Sequence, residues 1–337
     1  MSFALRGGVL AVAILGIAAG PSAARAGVCS DTARLQFAAC KAEVKDDDLA
    51  ARAICLNTAD DEEREECLDE AAEARVEETA VCKEQKAARL DLCGALGEGP
   101  YDPDFDPADF EDPRSPAVLN SHLPLAVGNT WTHEGGGETV IVEVLDETKY
   151  IEGVDCLVVR DRVFEDGALV EDTDDWFALA TNGDVWYCGE EVKDFEFFDG
   201  DDPELPELVS IDGSFKAGRD GDKAGTLIRA TPQVGDTYRQ EWSAGNAEDA
   251  AQVLSTTYGY GNAPTLDEFV PQALAELLCD DDCWVTGEFT PIEPDAFERK
   301  YYAPGIGRFL EVDAESGDTV QLVDCNFDAR CAALPTP

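Results

Sequence analysis

The chain has 337 residues, with 72 Asp and Glu against 25 Lys and Arg and a formal net charge of −47 at pH 7. So acidic a chain repels phosphate backbones and anionic bilayers, which excludes nucleic acid and acidic membrane surfaces as partners. Twelve cysteines, two histidines and no CxxC pair point to a disulfide framework rather than a zinc site.

Residues 1–26 read as a signal peptide. Arg6 precedes an apolar run from Gly8 to Ala19, and Ala24 and Ala26 supply the small residues that set cleavage before Gly27. The run is shorter than the ~20 apolar residues that cross a bilayer, so no transmembrane anchor is expected in the mature chain. Val28 stands where a lipid-attachment signal needs a small residue, which leaves Cys29 as a disulfide partner. Cleavage removes Arg6 and Arg25 and leaves 23 basic residues against 72 acidic ones, a net charge of −49. A secreted or periplasmic protein is expected, its acidity serving solubility or a salty habitat rather than the alternative, attraction of cations.

The fold class expected is α+β in two domains: residues 27–96 a disulfide-bridged helical hairpin, 97–118 an acidic Pro-rich linker, and 119–331 an antiparallel β domain. In the first part Ala33, Phe37, Cys40, Val44, Ala51 and Cys55 recur at helical spacing, as do Cys67, Ala71, Ala74, Cys82 and Cys93. The break falls at Asn57 to Asp61, with Thr58 or an aspartate as N-cap of the second helix and Gly94 as its stop. The cysteine spacing is palindromic. Cys29 and Cys93, Cys40 and Cys82, and Cys55 and Cys67 are each centred on position 61, as facing residues of an antiparallel pair must be. Three nested bridges across one hairpin follow, and the hairpin serves as a spacer or docking arm.

The linker carries Asp102, Asp104 and Asp106 at alternate positions, like the opening of a calcium loop. Pro107 occupies the position where an EF-hand needs glycine, and Pro113 the position where it needs glutamate, so a solvated, extended linker is the expectation.

From Glu138 onward the chain reads as short strands: Thr139 to Leu145, Val154 to Phe164, Ala168 to Ala178 and Asp184 to Cys188. Asp166-Gly167 and Asn182-Gly183 mark tight turns between them. Further strands are expected at Thr237 to Trp242, Cys283 to Thr290, Phe297 to Tyr302, Arg308 to Val312 and Thr319 to Val323. Ala247 to Ser255 and Thr265 to Leu278 read as helical. Strands in succession without alternating helices predict an antiparallel sheet, curved or a half-barrel. Cys279 with Cys283 and Cys325 with Cys331 are close enough to bridge locally, leaving Cys156 with Cys188; Cys156 with Cys283 is the alternative if their strands are neighbours.

The segments Pro124-Leu125-x-x-Gly128-x-x-Trp131, Val158-Val159-Arg160-Asp161-Arg162-Val163 and Glu171-Asp172-Thr173-x-Asp175-Trp176 form a pattern. It continues with Gly183-x-Val185-Trp186-Tyr187-x-Gly189-Glu190, Tyr238-Arg239-Gln240-Glu241 and Lys300-Tyr301-Tyr302-Ala303-Pro304-Gly305-Ile306-Gly307. The chain resembles a group of secreted bacterial proteins with a helical, cysteine-bearing preamble and this β domain, over most of Leu123 to Val312. The resemblance implies no particular activity. The succession of strands is also similar to open half-barrel envelope proteins that hold lipid, a likeness of fold only. His122 and His133 stand where that pattern leads one to expect aromatic residues, which argues against a shared histidine site.

No nucleophile elbow, HExxH helix or phosphate-binding glycine loop is present. The function expected is a non-enzymatic exported binding or envelope-associated protein without a cofactor. It would hold an apolar molecule on an aromatic sheet face formed by Trp176, Trp186, Tyr187, Tyr238, Trp284 and Tyr301, or dock an envelope protein. One alternative is a calcium-stabilised structural protein using Asp102, Asp104 and Asp106, with the loop Asp199 to Asp202. Another is a hydrolase using carboxylates such as Asp172 and Asp175, although cross-strand ion pairs with Arg160 and Arg162 explain Asp172, Asp174 and Asp175 without catalysis.

Overall fold

The computed structural model describes residues 27–337 except Asp199 and Glu204. The expected signal peptide and Asp199 of the second aspartate loop lie outside the described residues.

Helices α1 (Val28–Leu56) and α2 (Asp61–Leu96) form the hairpin. Asp60 caps α2 by accepting from the Glu62 and Glu63 amides. Instead of stopping at Gly94, α2 runs on to Leu96 and ends at Gly97, whose φ of +96° is open to glycine without steric cost. Glu98, just beyond, turns back onto the start of α1 and accepts from the Ser30 amide and hydroxyl. All three bridges centred on position 61 are present, with Cα–Cα separations of 5.7, 5.8 and 5.5 Å. The hairpin buries only a few apolar side chains, chiefly Ala33, Val44, Ala71 and Leu92, while Leu35, Ile54, Leu56 and Val76 face solvent. With so small a core the bridges do the work that packing does elsewhere.

Among the described residues sixteen strands follow: β1 (Thr130–Gly135), β2 (Glu138–Ile151), β3 (Val154–Glu165), β4 (Ala168–Leu179), β5 (Val185–Glu191), β6 (Asp194–Glu196), β7 (Glu207–Ser210), β8 (Phe215–Lys216) and β9 (Lys223–Ile228). After them come β10 (Thr237–Arg239), β11 (Glu241–Trp242), β12 (Ala250–Tyr258), a short helix α3 (Gln272–Leu278), β13 (Cys283–Phe289), β14 (Phe297–Ala303), β15 (Gly307–Asp313) and β16 (Thr319–Cys325). The pairing is antiparallel throughout, in the order β10-β12-β13-β14-β15-β16-β1-β2-β3-β4-β5-β9-β11.

The curvature goes further than a half-barrel. β10 and β11 are consecutive stretches of one extended segment, with β10 paired to β12 at one end of the sheet and β11 to β9 at the other. The Gln240 amide between them donates to the Asp249 carbonyl at 2.8 Å. The sheet's two ends are thereby drawn together into a barrel. Gly225 makes the seam possible, since a Cβ there would lie 2.2 Å from the Gln240 backbone.

Two segments depart from their predicted states. Ala247 to Ser255 reads as helix because of its alanines, yet β12 occupies Ala250–Tyr258. Ala250 and Ala251 are fully buried between β10 and β13, and small side chains in a closing strand outweigh helix propensity. In Thr265 to Leu278 only the last seven residues are helical. The linker keeps its aspartates exposed to solvent, but its aromatic side chains are anchored on the barrel. Phe105 and Phe110 pack against Trp186, with ring centroids 5.6 and 6.0 Å away. Tyr101 donates to the Ala224 carbonyl at 3.0 Å, and Phe110 forms a bridge with Ala180. The aromatic residues between the prolines fasten the linker along the barrel as a strap.

Cys156 bridges Cys188 from β3 to β5, with the fully buried Ala178 on the intervening β4. Cys279–Cys283 and Cys325–Cys331 close the two local loops. No described helix is long and apolar enough to cross a membrane.

Candidate functional site

The barrel holds a half-open chamber of about 240 Å3. One part of its wall is apolar, formed by Leu123, Leu125, Trp131, Val142, Val159 and Phe177. The rest is charged: Asp161, Asp175, Glu241, Asp249 and Glu288, with Lys300, Arg308 and His133. Strand alternation puts them there. On β3, Val159 and Asp161 face inward while Arg160 and Arg162 face the other way; on β14, Lys300 and Tyr302 face inward and Tyr301 does not.

The positive charges are already matched. Lys300 Nζ lies 3.1, 3.4 and 3.6 Å from Glu288, Glu298 and Glu311, and Arg308 lies 2.8 Å from Glu311. Glu288 also accepts from Thr286 Oγ1 at 2.7 Å and Tyr302 Oη at 3.0 Å. Burial alone would lower the Lys300 pKa, but Glu288, Glu311 and Glu298 hold it well above its ordinary value.

A second group of carboxyls has no such partners. Among the described residues, Asp161, Asp175, Glu190, Glu241 and Asp249 form no ion pair. Asp175 faces Glu190 across the β4–β5 register and accepts a hydrogen bond from Tyr187 Oη. Burial pushes Asp175 well above the carboxylate range, and the charges of Glu190 and Asp161 push it the same way. Burial raises Glu190 to about 8, against the pull of the nearby Tyr187 hydroxyl. Glu241 is held high by burial and then by Asp249 and Glu190, while Asp249 is itself raised by burial. Burial lifts Asp161 to about 6 against the pull of Arg308. Five neighbouring carboxyls thus compete for the neutral form, because desolvation and like charge both penalise the ionised one.

His133 is 2% exposed. Burial, followed by the Arg308 charge, pushes its pKa down to about 3, so the ring is neutral. Its Nε2 lies 3.1 Å from the Arg308 carbonyl.

The six aromatic residues predicted to face a ligand are not brought together. Tyr187 lines the chamber. Trp176 and Trp186 lie on the opposite face of β4 and β5, in an apolar cluster with the strap's Phe105 and Phe110. Tyr238 packs with Ala251 and Val253 beneath the Arg229 guanidinium. Trp284 stacks on His122 at 3.6 Å, and Tyr301 donates to the Leu266 carbonyl at 2.7 Å next to Tyr258. Of the linker aspartates, Asp102 pairs with Lys223 at 3.0 Å and Asp106 caps a short turn by accepting from the Ala108 amide. Among the described residues no three His, Cys, Asp or Glu side chains are arranged to hold a metal ion. Asp172 and Asp174 lie against Arg160, at 3.5 and 2.9 Å, as cross-strand pairing predicts, whereas Asp175 turns inward to the chamber.

Of the chamber's charged residues, only Asp175 is singled out by the sequence, as a candidate carboxylate; Asp161, Glu241, Asp249, Glu288, Lys300 and Arg308 are not. The usable signal was strand parity: Asp161 shares its face with Leu157 and Val159, and Lys300 shares its face with Tyr302, so both charges fall on an otherwise core-facing side.

No family model matches the chain, and no curated protein matches it. Among solved structures it is similar to a protein from Parabacteroides distasonis ATCC 8503 described as a "putative lipoprotein", at 10% identity. The alignment covers 62% of this chain and 100% of that one, with a TM-score of 0.28.

Proposed function

We propose that this is an exported binding protein whose site is the chamber inside the barrel, with the bridged hairpin as a spacer or docking arm. The observation that carries this reading is a cavity that is half apolar and half carboxyl-lined, inside a sheet drawn closed around it. A wall of this kind costs stability by burying ionisable groups, and structural needs alone would favour an apolar filling. The volume lies just below the ~300 to 1,000 Å3 typical of sites for drug-sized ligands, which favours a small molecule over a lipid. The segments that carry the family resemblance supply Leu125, Trp131, Asp161, Asp175, Glu241 and Lys300 to this wall. Six disulfides favour an oxidising compartment.

Native mass spectrometry of protein isolated from its own host tests the reading. A bound small molecule is expected, and it should be lost when Val159→Phe fills the chamber. Unliganded protein whose melting temperature no compound of a broad small-molecule panel shifts would contradict it.

A further inference from the structure

Two residues of the chamber wall each carry a buried polar atom that has no hydrogen-bond partner among the described residues, His133 Nδ1 and Asp161 Oδ1. Their chemistry is the same. A carbonyl oxygen can only accept, so the Arg308 carbonyl beside His133 Nε2 requires the ring proton on that nitrogen. The neutral ring then presents a bare lone pair at Nδ1. Asp161 Oδ1 is a carboxylate oxygen and also an acceptor. Buried acceptors left unmatched are costly, and what both lack is a donor.

The charge distribution points the same way. Lys300 and Arg308 are occupied by Glu288, Glu298 and Glu311. Among the described residues no cation forms an ion pair with Asp161, Asp175 or Glu241, and Asp161 feels Arg308 and Lys300 only at a distance. A ligand that brings both N–H donors and positive charge would satisfy the acceptors and relieve the repulsion among these carboxyls. The remaining wall, Leu125, Trp131, Val142 and Phe177, needs an apolar body of modest size. A bare metal ion fits less well, since no three ligating side chains converge among the described residues and the apolar wall would contribute nothing to it.

We propose that the chamber takes a small organic cation, an ammonium or amidinium group on an apolar body, with Asp161 and His133 accepting its N–H groups. This rests on the binding-protein reading and narrows it to a ligand class.

Calorimetric titration of the full mature chain with three series tests it: primary amines (isopentylamine, 2-phenylethylamine), the matching alcohols and the matching carboxylates, with calcium chloride alone as a fourth arm. The amines should bind at least tenfold more tightly than the alcohols, and the carboxylates should not bind. Asp161→Asn should weaken the amines at least tenfold and leave the alcohols nearly unchanged, a comparison that the unmodified chain makes even if the variant folds poorly. Alcohols binding as well as amines would overturn the cationic class while leaving the chamber as a binding site. Calcium binding that depends on Asp161, without amine binding, would overturn it in favour of a metal. No heat with any series would overturn both this proposal and the reading on which it rests.

Discussion

Arg89 of α2 donates through Nε to Glu248 in the loop before β12 at 2.7 Å, and the two side chains are only 5% and 1% exposed. Glu248 also accepts from the Gln36 amide of α1 and from the Gly245 backbone amide. One buried carboxylate therefore fastens both helices to the barrel beside its seam. Glu248→Gln leaves the Arg89 charge buried and unpaired, and should cost about 3–5 kcal/mol in urea unfolding. The double variant Arg89→Met, Glu248→Leu should recover most of that loss, because it removes both charges together.

The hairpin depends on sulfur more than on packing. Replacing Cys40 and Cys82 by serine should cost it about 2–4 kcal/mol. The expected readout is an earlier loss of helical circular dichroism at 222 nm, with the barrel's tryptophan fluorescence transition unchanged.

Stability should fall as pH rises. Glu190 titrates at about 8 and Asp161 at about 6 in the folded protein, against about 4.3 and 3.9 in an unfolded chain. Between those values the folded protein keeps protons that the unfolded chain has released, so the stabilisation present at low pH is lost on the way up. Each such group contributes on the order of 1.4 kcal/mol per pH unit within its window. Glu311 acts in the opposite sense: burial would raise it, but Lys300 and Arg308 hold it low, so its contribution disappears only as pH falls below the ordinary glutamate range. Thermal melts between pH 5 and pH 8 should show a declining melting temperature, and Glu190→Gln should flatten the decline.

The strap should be separable from the barrel's interior. Phe105→Ala removes a half-buried ring from Trp186 and should cost about 1–2 kcal/mol. Tryptophan emission should shift to the red as Trp186 meets water, with ligand binding in the chamber unaffected.

The hairpin was legible because covalent pairing imposes a symmetry on the sequence, and three cysteine pairs sharing one midpoint leave a single nested solution. Most long strands were legible as well, since Asp166-Gly167 and Asn182-Gly183 mark their turns. The barrel's closure was hidden in β12, where alanines chosen for tight packing at a seam resemble helix formers. The chamber was hidden for a different reason. Both faces of β3 carry charge, with Arg160 and Arg162 outward and Asp161 inward, and the outer face of the neighbouring β4 and β5 is apolar around Trp176, Ala178 and Trp186, where the strap covers it. When both sides of a sheet are covered, hydropathy no longer says which side is the inside. The aromatic residues followed that ambiguity: Trp176 and Trp186 belong to the strap, and only Tyr187 of the six belongs to the chamber.

An electron-density map of protein purified from its own host, at a resolution that separates water from organic ligand, is the sharpest test of a cation in the chamber. A small molecule is expected in the barrel, with a nitrogen within hydrogen-bond distance of Asp161 Oδ1 and His133 Nδ1 and its apolar part against Trp131 and Phe177. A chamber occupied only by ordered waters that satisfy both acceptors, unchanged after soaking with 2-phenylethylamine, would contradict it.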